Sequence, residues 1–310
     1  MIDFRYLLIT IIGIFLSLGV GIVMGSGLIG GRVVRGLRGE ARQVLSANDE
    51  LRRQIIDLEA RQDENDEFLS AIEPLLVDGQ LIGDQLVVFD IEGSDAALFD
   101  AVEGVVEEAD GEVASRIELR NRLALSEDGS RQELAALLES ESTEAEELRV
   151  EFVDLLGNAL GAAASGRNLG PRATSSQALE GLLQDINDAG FVTTEGFGDR
   201  LVPPGANFLI IGGSTETPGW PTEEVVRALA MALDGQGRRV LVSETSDSVW
   251  ELVNAVRSDD EVAAEISTVD NAETIAGRID VALALGRTSP TPALHLGTKD
   301  GAAPAPTPLQ

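Results

Sequence analysis

Cysteine is absent from the 310-residue chain; lysine occurs once, at Lys299, and histidine once, at His295. Without cysteine there is no disulfide framework, no thiolate metal site and no cysteine nucleophile. A lone lysine beside the carboxyl end leaves no P-loop or Schiff-base chemistry for the folded body. Positive charge is scarce: 23 Lys+Arg stand against 53 Asp+Glu, a net charge of −30. Such a polyanion does not wrap nucleic acid, because counterion release needs clustered Lys and Arg. Soft metal ligands are few as well. Copper(I) prefers thiolate and thioether and copper(II) prefers imidazole, whereas Met1, Met24, Met231 and His295 do not converge in the sequence. No metal site and no cofactor is expected. Nor is there a G-x-S-x-G elbow, so the expectation is a protein that is not an enzyme.

Charge is also absent from the 26 residues Tyr6–Gly31, bounded by Arg5 and Arg32. At a rise of about 1.5 Å per residue this run spans a hydrocarbon core of about 30 Å. No A-x-A-type cleavage site follows it, so it reads as an uncleaved anchor over 6–31 behind a cytosolic stub of residues 1–5. By count, Arg32, Arg35 and Arg38 outweigh Arg5 and the α-amino group. The positive-inside rule would then hold the large region in the cytoplasm, although the rule is weak for long translocated domains and the lack of cysteine is permissive of export. Gly13, Ser17, Gly21 and Gly25 recur every fourth residue, a small-residue stripe that lets two helices approach.

A heptad period follows over residues 32–73. Leu37, Val44, Leu51, Leu58, Asn65 and Ile72 share position d, while Val34, Ala41, Asn48, Ile55, Gln62 and Leu69 share position a. Leucine at d with Ile55 and a polar Asn48 at a suits a parallel two-stranded coil, in which a buried asparagine fixes register. Arg61 at g and Asp66 at the following e form a candidate interhelical ion pair. The expected partner is therefore a second copy, in a parallel homodimer held by the anchor stripe and this stalk.

Pro74 and Gly79 are expected to break the helix. From residue 84 to 287 strands and helices alternate, which argues for a Rossmann-like α/β head with a parallel sheet, interrupted by a helical insertion over 130–190. Strands are expected at 86–90, 112–119, 208–211, 239–243, 266–269 and, last, 281–285. Helices are expected at 95–109, 221–233, 246–257 and 271–278. Capping-box spacing pairs Ser130 with Glu133, Thr143 with Glu146 and Ser248 with Glu251, and Ser175 or Ser176 caps another helix. Residues 288–310 hold five prolines and read as a loose tail.

Ligands on open parallel sheets collect at the carboxyl ends of the strands. There the sequence offers Asp90, Gly212, Gly213, Ser214 and Ser243 as a candidate ligand pocket. The plainer alternative, which the missing GxGxxG and Walker patterns favour, is that this Gly-Gly-Ser turn only joins a strand to a helix.

The anchor FRYLLITIIGIFLSLGVGIVMGSGL, the heptads and the closing ISTVDNAETIAGRIDVALAL together resemble the actinobacterial copper transporter family (MctB-like), which also includes the septation protein SteB. The resemblance implies an envelope protein with a cytoplasmic N-terminus and an extracytoplasmic head. It implies a role either in copper transport and homeostasis or as a dimeric scaffold for an envelope or septal protein partner. Where members of the family carry a Gly-His-Tyr-Gly-like passage, this chain has His295-Leu296-Gly297.

Overall fold

Leu86, Val87, Val88 and Phe89 form a continuous apolar run, as a strand covered on both faces requires. In the computed structural model, which describes residues 4–28, 30–166, 176–196, 200–287 and 292–303, this run lies in β1 (Gln85–Ile91). The chain divides into two units, Met1–Glu67 and Phe68–Gln310.

The first unit is helical. Helix α1 (Phe4–Leu28) contains a segment, Arg5–Gly25, long and apolar enough to cross a membrane, and none of it is buried by protein. Helix α2 (Gly30–Val77) begins in this unit. Its side chains at Val44, Leu51, Ile55 and Leu58 are exposed. Arg61 pairs with Asp57 one turn back in its own helix, at 3.0 Å.

The second unit begins inside α2. The helix does not stop at Pro74 but runs through it to Val77, and the break falls in the turns from Asp78 to Gly83. The chain then alternates: α3 (Ala96–Glu108), β2 (Glu112–Leu119), α4 (Asp128–Leu138), α5 (Ala145–Ser165), α6 (Ser176–Asp188), β3 (Val192–Gly196), β4 (Asn207–Gly212), α7 (Thr222–Asp234), β5 (Val240–Glu244), α8 (Leu252–Arg257), α9 (Asp260–Glu265), β6 (Ser267–Val269), α10 (Ile275–Gly286) and β7 (His295–Leu296). The sheet order is β3-β2-β1-β4-β5-β6-β7. All pairings are parallel except β2–β3. The order reverses between β1 and β4, which is where an open α/β sheet opens a crevice at its carboxyl edge.

Alternate residues of β1 enter opposite cores. Val87, Phe89 and Ile91 join Leu148, Phe152 and Leu156 of α5, Leu229 of α7 and Leu252 of α8 on one face. Leu86 and Val88 join Val102 and Val106 of α3, Ala282 and Leu285 of α10, and Val77 at the end of α2 on the other. The sheet is therefore covered by helices on both faces.

Several expectations are corrected. The expected last strand, 281–285, is the second half of α10, because Thr274 caps that helix by accepting from Gly277 N at 3.0 Å and nothing interrupts it before Gly286. The last strand is instead His295–Leu296, which lies within the expected loose tail and pairs with β6; residues 288–291 and 304–310 lie outside the described residues. The expected helix 246–257 is only Leu252–Arg257. Ser248 accepts from Trp250 N within the preceding loop, and the N–H of Leu252 goes to Glu244 at the end of β5. Ser130 and Thr143 do not cap. Helix α4 starts before Ser130, after an extended Glu127, and ahead of α5 it is the Ser142 hydroxyl that accepts from Glu144 N. Ser175 lies outside the described residues. The antiparallel edge strand β3 and the short helix α9 are additions to the expected elements.

Candidate functional site

The carboxyl ends of β1, β4 and β5 do bring Asp90, Gly212, Gly213, Ser214 and Ser243 to one rim of the sheet. The space above them is filled by protein. A Cβ on Gly212 would meet Leu252 Cδ1 at 2.8 Å and Ile91 Cδ1 at 3.1 Å. Gly213 has φ +126° and its α-carbon faces Thr245 and Ser248, each about 3 Å from where a Cβ would stand. The Trp250 indole closes over Gly93 and donates from Nε1 to Glu216 O at 2.6 Å.

The polar candidates are engaged in the fold. The Ser243 hydroxyl is fully buried and donates to Val269 O on β6 at 3.0 Å. Ser214 Oγ accepts from Glu216 N at 3.2 Å and so forms the turn. Asp90 is buried and paired with Arg116 of β2, whose guanidinium stacks 4.2 Å over Phe99. Burial pushes the Asp90 carboxyl above its ordinary value, against the pull of Arg116. The five residues thus share a rim, as a strand-end pocket would need, but their chemistry is turned inward. The plainer alternative, a connecting turn, describes Gly212–Ser214.

The same rim holds a charged cluster that motif reading passed over. Asp270 follows β6 and Arg257 ends α8; their side chains are 0% and 4% exposed, with Nη1 and Oδ2 2.6 Å apart. Asp270 also accepts from Thr298 N at 2.6 Å and Lys299 N at 3.1 Å. Arg257 donates in addition to Thr268 Oγ1 at 2.8 Å and Leu296 O at 2.8 Å. Lys299, expected outside the folded body, lies within it: its Nζ donates to the fully buried Glu244 at 2.7 Å and to Ser248 O at 3.1 Å. Burial pushes the Glu244 carboxyl above its ordinary value, and Lys299 offsets only part of that rise. Every charge in this cluster is answered by another, so it clamps the carboxyl-terminal segment onto β5 and β6.

His295 belongs to the same cluster. Burial lowers its pKa, which keeps the imidazole neutral at pH 7. Nε2 faces Ala263 O at 2.9 Å and therefore carries the proton; Nδ1 lies 2.9 Å from Thr268 Oγ1 and accepts from that hydroxyl. Both ring nitrogens are engaged and neither lone pair is free for copper. Among the described residues there is no group of three or more His, Cys, Asp or Glu that could hold a metal ion.

Asp280 on α10 is pushed up to about 6 by burial and then by the charge of Asp270. A carboxyl raised in the folded state binds its proton more tightly there, so stability falls as pH rises from about 4 to about 6. Asp280→Asn is expected to stabilise the head by about 1–2 kcal/mol at pH 7.5, allowing for screening by solvent, and to leave it unchanged at pH 4. Unfolding curves at the two pH values read this directly. A benefit that persists at pH 4 would show that the ionised carboxylate is not the cause.

Among the described residues of the head, two larger volumes stand open. One of about 290 Å³ sits at the opposite, amino ends of β5 and β6, lined among others by Asp234, Arg238, Arg239, Glu265 and Leu294. In it Arg239 is tied to Asp84 by two bonds of 2.9 and 2.8 Å, and Arg238 to Ala206 O and Asn207. The other, about 400 Å³ and open, runs along Pro218, Trp220, Val249 and Trp250.

Comparison with known proteins brings in the whole chain rather than this rim. The family model described as "Copper transport outer membrane protein, MctB" matches residues 1–307. The protein named "Copper transporter MctB" of Mycobacterium tuberculosis (strain ATCC 25618 / H37Rv) is 30% identical over 296 residues, covering 92% of each chain. Its namesake in Mycobacterium leprae (strain TN) is 28% identical over 302 residues, again covering 92% of each chain. The match thus runs almost end to end, and the chain belongs to the MctB family.

Proposed function

We propose that this chain is a single-pass, membrane-anchored protein of copper transport and homeostasis in the cell envelope. The observation that carries this reading is the family match over residues 1–307, together with an amino-terminal helix long and apolar enough to cross a membrane. The N-terminus is cytoplasmic and the head, a Rossmann-like α/β domain by its strand order, is extracytoplasmic. The chain acts as a non-enzymatic parallel homodimer. A dimer is supported by the stripe Gly13, Ser17, Gly21 and Gly25, with no neighbouring atom beside any of its glycines. It is supported also by the exposed seam of Val44, Leu51, Ile55 and Leu58 on α2; of the Leu37 side chain nothing is described.

The residues do not fit a soft copper site in the head, since the one imidazole is engaged at both nitrogens. Copper handling therefore belongs to the anchored pair and what it assembles with. Cells lacking the chain are expected to accumulate more copper and to stop growing at a lower copper concentration, with recovery on return of the wild-type gene. Equal copper content with and without the chain would contradict the copper role.

Leu51→Asp is the matching test of the pair. Two leucines leave the seam and two charges enter it, a loss of about 3–6 kcal/mol, or roughly 10²–10⁴ in the dimer Kd. Sedimentation of the detergent-solubilised variant should show one copy per particle; a variant that sediments as a dimer removes the coiled-coil reading.

A further inference from the structure

We infer that the first turns of α2 bind the headgroups of anionic phospholipids, through Arg32, Arg35, Arg38 and Arg42, which share one face of the helix just beyond the membrane-crossing segment. The inference rests on the anchor reading above and goes beyond it.

Helix α2 divides by charge. Residues 30–42 hold four arginines and one acid, Glu40, whereas residues 43–77 hold three arginines and nine acids. In a chain of net charge −30, the basic stretch is confined to the end of the helix next to the anchor. Its height suits the headgroups. At about 1.5 Å per residue Arg32 comes about 40 Å after Arg5, close to the thickness of about 40–45 Å of a bilayer with its polar layers. Its arrangement is one-sided. At about 100° per residue, positions 32, 35, 38 and 42 fall within about a third of the helix circumference, and position 40 falls outside that arc.

The spacing argues that the neutralising charge comes from outside the chain. No acid stands three or four residues from any of these four arginines. Each has another arginine at that spacing instead, a like-charge contact that costs helix stability. Farther along the same helix the arginines are answered from within: Arg53 pairs with Glu50 at 2.9 Å and Arg61 with Asp57 at 3.0 Å. A leaflet that carries negative charge attracts each base near its surface, and a guanidinium takes a phosphate by two parallel hydrogen bonds. A zwitterionic headgroup brings its own cation beside the phosphate and gains less. An acidic protein is the rival occupant, but lipid is what surrounds a membrane helix at this height.

The full chain is released from membranes into a mild detergent that contains equal phosphatidylglycerol and phosphatidylcholine, and the lipid retained on it is counted by native mass spectrometry. Wild type should retain phosphatidylglycerol over phosphatidylcholine by about fivefold or more, and Arg32→Gln/Arg35→Gln/Arg38→Gln by less than about twofold. Arg52→Gln/Arg53→Gln/Arg61→Gln removes the same charge from farther along α2 and should keep the wild-type preference. Equal losses in the two triple variants would show net charge at work and overturn the inference. A wild-type chain without preference would overturn it too and leave an acidic protein as the occupant. Alkaline extraction of native membranes checks the anchor separately. Release of the wild-type chain would refute the anchor itself, whereas a retained chain that shows no lipid preference refutes only the lipid site.

Discussion

Asp270→Ala should remove about 3–5 kcal/mol from the stability of the head, the cost of stranding a buried charge. Arg257, 4% exposed, would lose its counter-ion, and the N–H groups of Thr298 and Lys299 would lose their acceptor in the same step. Denaturant unfolding of the full chain, followed by the fluorescence of the buried Trp220 and Trp250, measures the loss. Two companions separate the ion pair from general damage. Arg257→Met combined with Asp270→Leu should recover at least half of the loss, since an apolar pair strands no charge. Arg227→Ala, which breaks a half-exposed 3.5 Å pair with Asp259, should cost no more than about 0.5 kcal/mol. A single Asp270→Ala variant as stable as wild type would mean that the carboxyl-terminal segment is not clamped where it is seen.

Gly277→Ala is expected to be as damaging, at about 3–5 kcal/mol, although it adds one methyl group to a helix. That methyl would stand inside the backbone carbonyl of Asn271, and a backbone carbonyl does not swing aside as a flexible side chain does. The first turn of α10 would have to move, and the Thr274 cap with it. Gly104→Ala provides the opposite sign. Gly104 lies inside α3 with nothing within 4 Å of its Cβ position, so alanine there should stabilise by about 1 kcal/mol through helix propensity alone. The two substitutions are chemically identical, and only the packing around them differs. Equal effects at the two positions would mean that α10 is not seated against Asn271.

The elements that were legible in the sequence share one property: their pattern excluded the alternatives. Strand β1 reads as an unbroken apolar run between turn residues, and α5 reads as a long 3.6-period stripe through Leu148, Phe152, Leu156 and Leu160. Val281–Leu285 carried no such discrimination. It is buried on nearly all sides, and a fully apolar run of five fits a buried strand as well as half of a buried helix. The true last strand is two residues long and sits among prolines and glycines, where no periodicity can develop. Its presence is fixed by long-range contacts: Leu296 O accepts from Asp270 N, and Gly297, at φ +125°, leaves the room that the Asp270 carboxylate fills. The strand-end candidates lie on one rim, because topology alone puts them there. Their engagement was not legible, since the residues that fill the rim, Trp250, Leu252 and Lys299, arrive from other loops. One signal was available: the only lysine of the chain, standing in an acidic protein, had a buried carboxylate to find.

The proposed action of this protein in the membrane depends on two chains standing side by side, and the copy number of the purified full-length wild-type chain tests that most directly. Native mass spectrometry of particles released from detergent should give twice the chain mass of 32.8 kDa. A single-chain mass at micromolar protein, with the head folded, would contradict the paired anchor and the stalk together.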